Sequence, residues 1–265
     1  MLTPGCPEVG LPGAGATGAG EAAGSLVGML EADRSEAVRG DPGAEGTGRL
    51  RGRSGEVDRR EESRRHLVWG AALLAAVAAA GCYFYFLPGP MFVDRWMLDL
   101  VGPSRNGTLT GVVALRYPQV IVAGSVIAAL VVLPKDRVRS LACLVGPPLA
   151  LATCELVVKP LVGRHLGGGF SYPSGSTVGA AALTTAAVLA VPGRWRPVAA
   201  AIGAVYTLWM GVAVVALQWH FPTDAVAGVA YGAGVVLAMD GALWLCVTSL
   251  VDRTSPGADE ASGGG

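Results

Sequence analysis

Two short polar segments combine residue types that can bind an anion and attack it. The first is residues 172–177, with the sequence YPSGST, and the second is residues 220–224, with the sequence HFPTD. Pro222 suits the first turn of a helix, and Asp224 follows His220 by four positions. A carboxylate there can bind the Nδ1–H of the imidazole, fix its tautomer and leave Nε2 free to attack phosphorus. The pattern predicts His220 and Asp224 as a nucleophile and its orienting partner.

Upstream residues and the first polar segment add the groups that bind a phosphate. Lys159 offers a point charge and Arg164 a bidentate fork. A helix that begins at Ser174 and Gly175 directs unpaired N–H groups at a ligand, and glycine allows close approach of the backbone. Glu155 precedes Lys159 by one helical turn, so it would position the lysine or serve as a structural tie. The predicted phosphate-binding set is Lys159, Arg164, Ser174, Gly175 and Ser176.

Other kinds of site find no support in the sequence. It contains no phosphate-binding P-loop and no cluster with metal-ligand spacing, so neither a metal nor a cofactor is predicted. The net charge is 0, which gives no argument for nucleic-acid binding. The cysteines lack paired spacing and mostly fall in apolar stretches, where cysteine acts as a small hydrophobe: Cys6, Cys82, Cys143, Cys154 and Cys246.

Long apolar stretches indicate a membrane protein. Hydrophobic residues make up 52% of the chain and charged residues 15%, whereas about a quarter of the residues in soluble domains are charged. A soluble protein would have too little polar sequence left to cover so many apolar helices. We therefore predict an all-α fold, a polytopic membrane bundle of about six transmembrane helices, given the length that a span requires. The predicted spans are residues 67–87, 117–134, 140–158, 175–192, 198–218 and 225–247.

Arginines between the spans predict the orientation. They concentrate before the first span, between the second and third, between the fourth and fifth, and after the sixth. By the positive-inside rule these segments are cytoplasmic, so both termini lie inside a plasma membrane and the polar segments lie outside. The link after the first span departs from this pattern, because it carries Arg95, Arg105 and Arg116.

Composition divides the chain into three regions. Residues 1–65 lack a sustained apolar period and are predicted to be a disordered cytoplasmic segment. Residues 66–250 form the membrane domain, and residues 251–265 a disordered tail. Between the first two spans, residues 88–107 suit either an interfacial segment or an exposed loop. Gly228 and Gly232 have the spacing of close helix packing in the last span.

These residues resemble the type 2 phosphatidic acid phosphatase family, which includes bacterial undecaprenyl-diphosphate phosphatases and is related to vanadium haloperoxidases. Three motifs form the site in that family: lysine followed by Arg-Pro, Pro-Ser-Gly-His, and Ser-Arg followed by histidine and aspartate. The resemblance covers residues 66–250. It implies that His220 is the nucleophile and Asp224 its partner, that Lys159 binds phosphate, and that Ser174 and Gly175 cradle it.

Several positions depart from the family motifs. The arginine of the first motif falls at Leu166, so Arg164 would substitute with a shorter spacing. The Ser-Arg pair falls at Ala213 and Val214, and the histidine that protonates the leaving group falls at Ser176. A serine hydroxyl is a poor general acid, and losing acid assistance costs about 10²–10⁴-fold in rate.

The sequence therefore leaves two functions open. The first is an integral membrane phosphatase, independent of metal, that hydrolyses a lipid phosphate or diphosphate ester at the outer face through a phosphohistidine. Its partner would be a polyprenyl or glycerolipid phosphate. The second is an inactive relative that binds a phosphorylated lipid or a partner protein. His165 could replace the missing acid, or it is an exposed loop histidine.

Overall fold

The computed structural model describes residues 45–103, 111 and 113–254. The chain divides into two compact units at Gly55. Of the first unit, residues 45–55 are described, and they are helical. The helical bundle and the candidate site belong to the second unit, Glu56–Gly265. Of the segments predicted to be disordered, 1–65 and 251–265, residues 1–44 and 255–265 lie outside the described residues, and residues 45–65 and 251–254 are helical.

Helices account for almost all of the described structure. A π-helical segment, Cys154–Val158, joins α4 to α5, and a short 3₁₀ helix, Gly193–Trp195, precedes α7. A two-stranded antiparallel hairpin pairs His165 with Phe170 and Leu166 with Gly169. The elements are α1 Glu45–Phe86, α2 Phe92–Val101, α3 Pro118–Val132, α4 Arg137–Thr153, α5 Lys159–Val162, β1 His165–Leu166, β2 Gly169–Phe170, α6 Gly175–Ala190, α7 Arg196–Ala216 and α8 Pro222–Thr254.

The predicted all-α membrane bundle is confirmed. Four helical stretches are long and apolar enough to cross a bilayer: Val57–Phe86, Arg137–Val162, Gly193–Ala216 and Pro222–Val251. The two remaining predicted spans coincide with the shorter apolar helices α3 and α6. Each predicted span thus has an apolar helix, while the count of six crossings stays a prediction.

Helix α6 lies at the centre of the bundle. The side chains of its first two turns are mostly small, so neighbouring helices can pack closely around it. Every residue from 175 to 182 is buried. On the facing side of α8, a Cβ at Gly232 would collide with the backbone of Val178, and one at Gly228 with the side chain of Thr177. The predicted close packing at these two glycines is therefore confirmed, and it brings the two helices that carry the polar segments together.

Buried charges tie α1 to the rest of the bundle at the end remote from His220. The carboxylate of Asp240, fully buried in α8, accepts hydrogen bonds from Arg59 and Arg139 and lies 2.6 Å from Nδ1 of His66. Ser63 is also fully buried. Arg59 and Ser63 therefore pack into the bundle from before residue 66, where the membrane domain is predicted to begin, and that boundary stays a prediction. The sequence gives no signal for the Arg59 contacts, because the residue is polar and its partners come from the start of α4 and from α8.

Helix α2 is amphipathic and follows the first span. Phe92, Trp96 and Leu100 are exposed along one side, and Asp94 is fully buried on the other. An exposed apolar stripe beside a membrane bundle is typical of an interfacial segment, so the structure favours that interpretation over an exposed loop.

Candidate functional site

Lys159 enters the site from the junction between α4 and α5. Pro160 cannot donate a backbone hydrogen bond, which disfavours a regular α-helix at this point. The chain instead passes through the π-helical segment, and the N–H of Lys159 donates to the carbonyl of Cys154. The buried ammonium donates to both carboxylate oxygens of Glu155, at 2.7 and 2.9 Å. The predicted Glu155–Lys159 pair is therefore confirmed.

The start of α6 supplies hydroxyl groups and backbone N–H groups. Ser174 is the N-cap residue, and Gly175 begins the helix. The hydroxyl groups of Ser174 and Ser176 are buried, and neither has a hydrogen-bond partner among the described residues. Gly175 is required for close approach, because a Cβ there would overlap Oε1 of Glu155 and lie 3.4 Å from Nζ of Lys159. Two unsatisfied hydroxyls beside a lysine are suited to an oxyanion.

A cavity of about 520 Å³ opens at this point. Its polar end joins Lys159 to Gly175 and Ser176, and an apolar wall extends from there along α3 and α4. The shape combines a place for a charged group with a path for a hydrocarbon chain. The lining residues are Arg116, Tyr117, Pro118, Ile121, Val122, Pro148, Leu151, Ala152, Glu155, Lys159, Gly175 and Ser176.

His220 lies in the turn between α7 and α8 and is only 6% exposed. Its Nδ1 is 2.8 Å from the carbonyl oxygen of Ser171. A carbonyl can only accept, so Nδ1 carries the proton and donates it, which leaves a lone pair on Nε2. Burial, reinforced by the charges of Lys159 and Arg116, lowers the pKa of His220 to about 4. The imidazole is consequently neutral near pH 7, in the tautomer a nucleophile needs.

Asp224 occupies a different place from the one the spacing predicts. Its Oδ2 accepts the backbone N–H of Phe221 at 3.0 Å, and its Oδ1 accepts from Nη1 of Arg164 at 2.5 Å. The expected bond from Asp224 to Nδ1 of His220 is therefore replaced by the Ser171 carbonyl. The reason is local: Asp224 sits in the first turn of α8, where a side chain turns back to cap the preceding N–H.

Arg164 is buried among carboxylates and aromatic rings. It pairs with Asp94 at 2.9 Å as well as with Asp224, and its Cζ lies 3.8 Å from the Phe84 ring centre and 4.3 Å from that of Phe221. The remaining donors are used too, because Nε donates to the carbonyl of Pro88, Nη2 to that of Gly89 and Nη1 to Oγ1 of Thr223. With every donor engaged, Arg164 stabilises the fold around His220 and has no free N–H for a phosphate.

The hairpin fixes the positions of both Arg164 and Ser171. The backbone N–H of Ser171 donates to the carbonyl of Arg164 at 2.8 Å, which closes the hairpin. Its turn residues, Gly167 and Gly168, have φ values of 60° and 90°, a region that favours glycine. The exposed His165 lies in the same hairpin, with its Nδ1 2.7 Å from the carbonyl of Gly163 and its ring against Phe170.

The predicted residues thus separate into two neighbouring groups. Lys159, Gly175 and Ser176 line the cavity, and the N–H of Ser174 donates to the carbonyl of Asp224 at 3.0 Å, which joins the start of α6 to the turn that carries His220. Asp224 and Arg164 form the buried support behind the His220 turn. Within the described residues, no group of three or more His, Cys, Asp or Glu side chains could hold a metal ion.

Sequence reasoning missed Arg116, Ser171 and Asp94. Ser171 acts through its backbone carbonyl, so its side chain carries no signal. Asp94 pairs with Arg164 from a helix that lies 70 positions earlier in the chain, a distance at which no spacing rule applies. Arg116 could have been noticed in the sequence. It lies in a link predicted to face outside, where the positive-inside rule does not expect an arginine.

Comparison with known proteins gives a single result. The sequence model of the PAP2 superfamily matches residues 69–247. No curated protein and no solved structure matches the chain significantly.

Proposed function

Because the chain belongs to the PAP2 superfamily, we propose that it is a membrane lipid phosphatase that transfers a phosphoryl group to His220. Nε2 of the neutral imidazole would attack phosphorus, forming an N–P bond as the P–O bond to the leaving group breaks. The leaving group is the lipid phosphate of a diphosphate or the lipid alcohol of a monophosphate, and its oxygen takes any proton it needs from solvent water. Water would then attack phosphorus and release inorganic phosphate and the free imidazole. The observation that carries this proposal is the hydrogen bond from Nδ1 of His220 to the Ser171 carbonyl, which leaves Nε2 unprotonated.

The phosphate would bind at the polar end of the cavity. Lys159 contributes charge, the first turn of α6 contributes N–H groups, and the unpartnered hydroxyls of Ser174 and Ser176 contribute hydrogen bonds. Glu155 must give way when the anion enters, and its side chain is free to do so because it is 44% exposed. The apolar wall along α3 and α4 would hold the lipid chain.

A diphosphate is the better substrate for this site. The family histidine that protonates the leaving group is Ser176 here, and serine has no pKa near neutrality. A lipid phosphate leaving group is a weaker base than a lipid alkoxide and needs less protonation. We therefore expect weak turnover that favours polyprenyl diphosphates over monophosphate esters, and we place the site at the outer membrane face.

Binding without hydrolysis is the second candidate. Three positions favour it: Ser176 in place of the acid, Leu166 in place of the first-motif arginine, and Val214, fully buried in the apolar core, in place of the third-motif arginine. Such a protein would hold a phosphorylated lipid and leave it intact. The two candidates share the same cavity and differ only in the chemical step.

Phosphate release by the purified full-length protein separates the candidates. The substrates are a polyprenyl diphosphate, a polyprenyl phosphate and phosphatidate, tested on the parent, His220→Ala and Ser176→His. We expect His220→Ala to abolish turnover and Ser176→His to raise it, with the larger gain on monophosphates and a ceiling of about 10²–10⁴-fold. His165→Ala tests whether the hairpin histidine supplies the missing acid, and it should behave as the parent, because its Nδ1 faces the carbonyl of Gly163 and its ring packs on Phe170.

Two outcomes would count against hydrolysis. Turnover in His220→Ala equal to that of the parent would remove the nucleophile from the mechanism. No turnover in either the parent or Ser176→His, with lipid phosphate still bound, would establish the binding function instead.

A further inference from the structure

Among the described residues, we consider three cations at the cavity and the His220 turn, and two of them already have carboxylate partners. Arg164 pairs with Asp94 and Asp224, and Lys159 pairs with Glu155. The third is Arg116, which lies just before α3. In the part of the chain that the structure describes, no carboxylate lies within ion-pair distance of its guanidinium. Among the described residues, nothing therefore compensates the positive charge of Arg116.

Arg116 also stands where an incoming anion would meet it. It lines the cavity together with Lys159 and Ser176, and its charge contributes to the lowered pKa of His220. The Cζ atom lies 4.9 Å from the centre of the Trp219 ring. Stacking on Trp219, the neighbour of His220, restricts the side chain on the same side of the site as the nucleophile.

This chain lacks the two arginines that the family motifs place in the phosphate site. Leu166 and Val214 occupy those positions here, and Arg164 has no free donor. A site that binds a doubly charged phosphate with Lys159 alone would lack the bidentate contact that a guanidinium provides. An arginine from another element can supply that contact without occupying either motif position.

We propose that Arg116 binds the phosphate group of the ligand and replaces the motif arginines that this chain lacks. The inference rests on the proposed phosphate site. The edge of the guanidinium would donate two parallel N–H···O hydrogen bonds to the phosphate, while its flat face stays stacked on Trp219. The anion would then be contacted from two sides of the cavity, by Lys159 of α5 and by Arg116 just before α3.

Calorimetric titration of the purified full-length protein with inorganic pyrophosphate tests this proposal. Arg116→Gln should weaken binding roughly ten- to one-hundred-fold, the loss expected for charge-assisted hydrogen bonds. Arg116→Lys keeps the charge without the fork and should fall between the parent and Arg116→Gln. Arg95→Gln is the matched control, because Arg95 is also exposed and follows the same span, and it should bind as the parent does.

The outcomes are distinguishable. If the parent and Arg116→Gln bind pyrophosphate equally, the role of Arg116 is overturned while the phosphate site survives. If Arg95→Gln weakens binding as much as Arg116→Gln does, the effect is general electrostatics, and the specific contact is again overturned. If the parent does not bind pyrophosphate, although a cooperative thermal unfolding transition shows that it is folded, the proposed phosphate site fails and the Arg116 contact fails with it.

Discussion

Arg164 and Asp224 form an ion pair in which both side chains are fully buried, with Nη1 2.5 Å from Oδ1. The pair joins the start of the hairpin to the first turn of α8. Because Asp224 also accepts the N–H of Phe221, it fixes the turn that carries His220. Both residues therefore position His220, the proposed nucleophile, and neither is left free to contact a phosphate or the imidazole.

Removing Arg164 should destabilise the protein strongly. Arg164→Ala leaves Asp94 and Asp224 buried without a counter-charge, a change that typically costs about 3–5 kcal/mol. Denaturant unfolding of the detergent-solubilised protein would measure the loss. Arg95→Ala, at an exposed position, should change stability by less than about 0.5 kcal/mol. Equal stability of Arg164→Ala and the parent would show that the buried network is not a structural support.

Acid should abolish the proposed phosphatase activity only well below neutrality. Since the pKa of His220 is lowered to about 4, the imidazole is neutral above that pH and becomes protonated below it. Attack on phosphorus is therefore expected to persist at pH 5 and to fall as the pH drops through about 4, in a profile of kcat/KM. Circular dichroism at each pH controls for unfolding. An inflection near 6.5, the ordinary value for histidine, would contradict this environment for His220.

A methyl group at position 175 should block anion binding without unfolding the protein. The Cβ of Gly175→Ala would project between Lys159 and Glu155, in the space where a phosphate would lie. We expect pyrophosphate binding to weaken roughly tenfold or more, as for a lost charged hydrogen bond, with little change in thermal stability, because the displaced Glu155 is partly exposed. Gly211→Ala is the control, since its Cβ would be 3.8 Å from Thr177. Unchanged affinity in Gly175→Ala would move the anion away from the start of α6.

Labelling of single cysteines should establish the orientation. In a background without native cysteines, Gly169→Cys lies in the hairpin beside the site and Arg194→Cys lies in the link before α7. Both positions are exposed. By the positive-inside rule, an impermeant maleimide added to intact cells should label position 169 and leave position 194 unmodified. Labelling of position 194 from outside would reverse the predicted topology.

Much of the fold follows from the sequence because apolar length and helix-terminating residues are local properties. Each predicted span has an apolar helix, and α8 begins at Pro222, as a proline in the first turn favours. The Glu155–Lys159 pair was predictable for the same reason, since residues four apart on a helix face each other. The contacts of Arg59 with the bundle were not predictable, because its partners, Asp136 and Asp240, lie elsewhere in the chain.

The sequence by itself determined the family, the membrane-embedded helices and the types of residue that meet at one end of the bundle. The tertiary structure decided which of those residues bind one another. His220 lies between α7 and α8, so its distance from Asp224 was not set by helical geometry, and its hydrogen-bond acceptor came from the hairpin at Ser171. The packing of α2 places Asp94 within hydrogen-bond distance of Arg164. The packing of α3 places Arg116, which precedes it, in the wall of the cavity. A buried polar group takes the partner that packing brings within about 3 Å, and sequence spacing specifies that partner only within a single helix or turn.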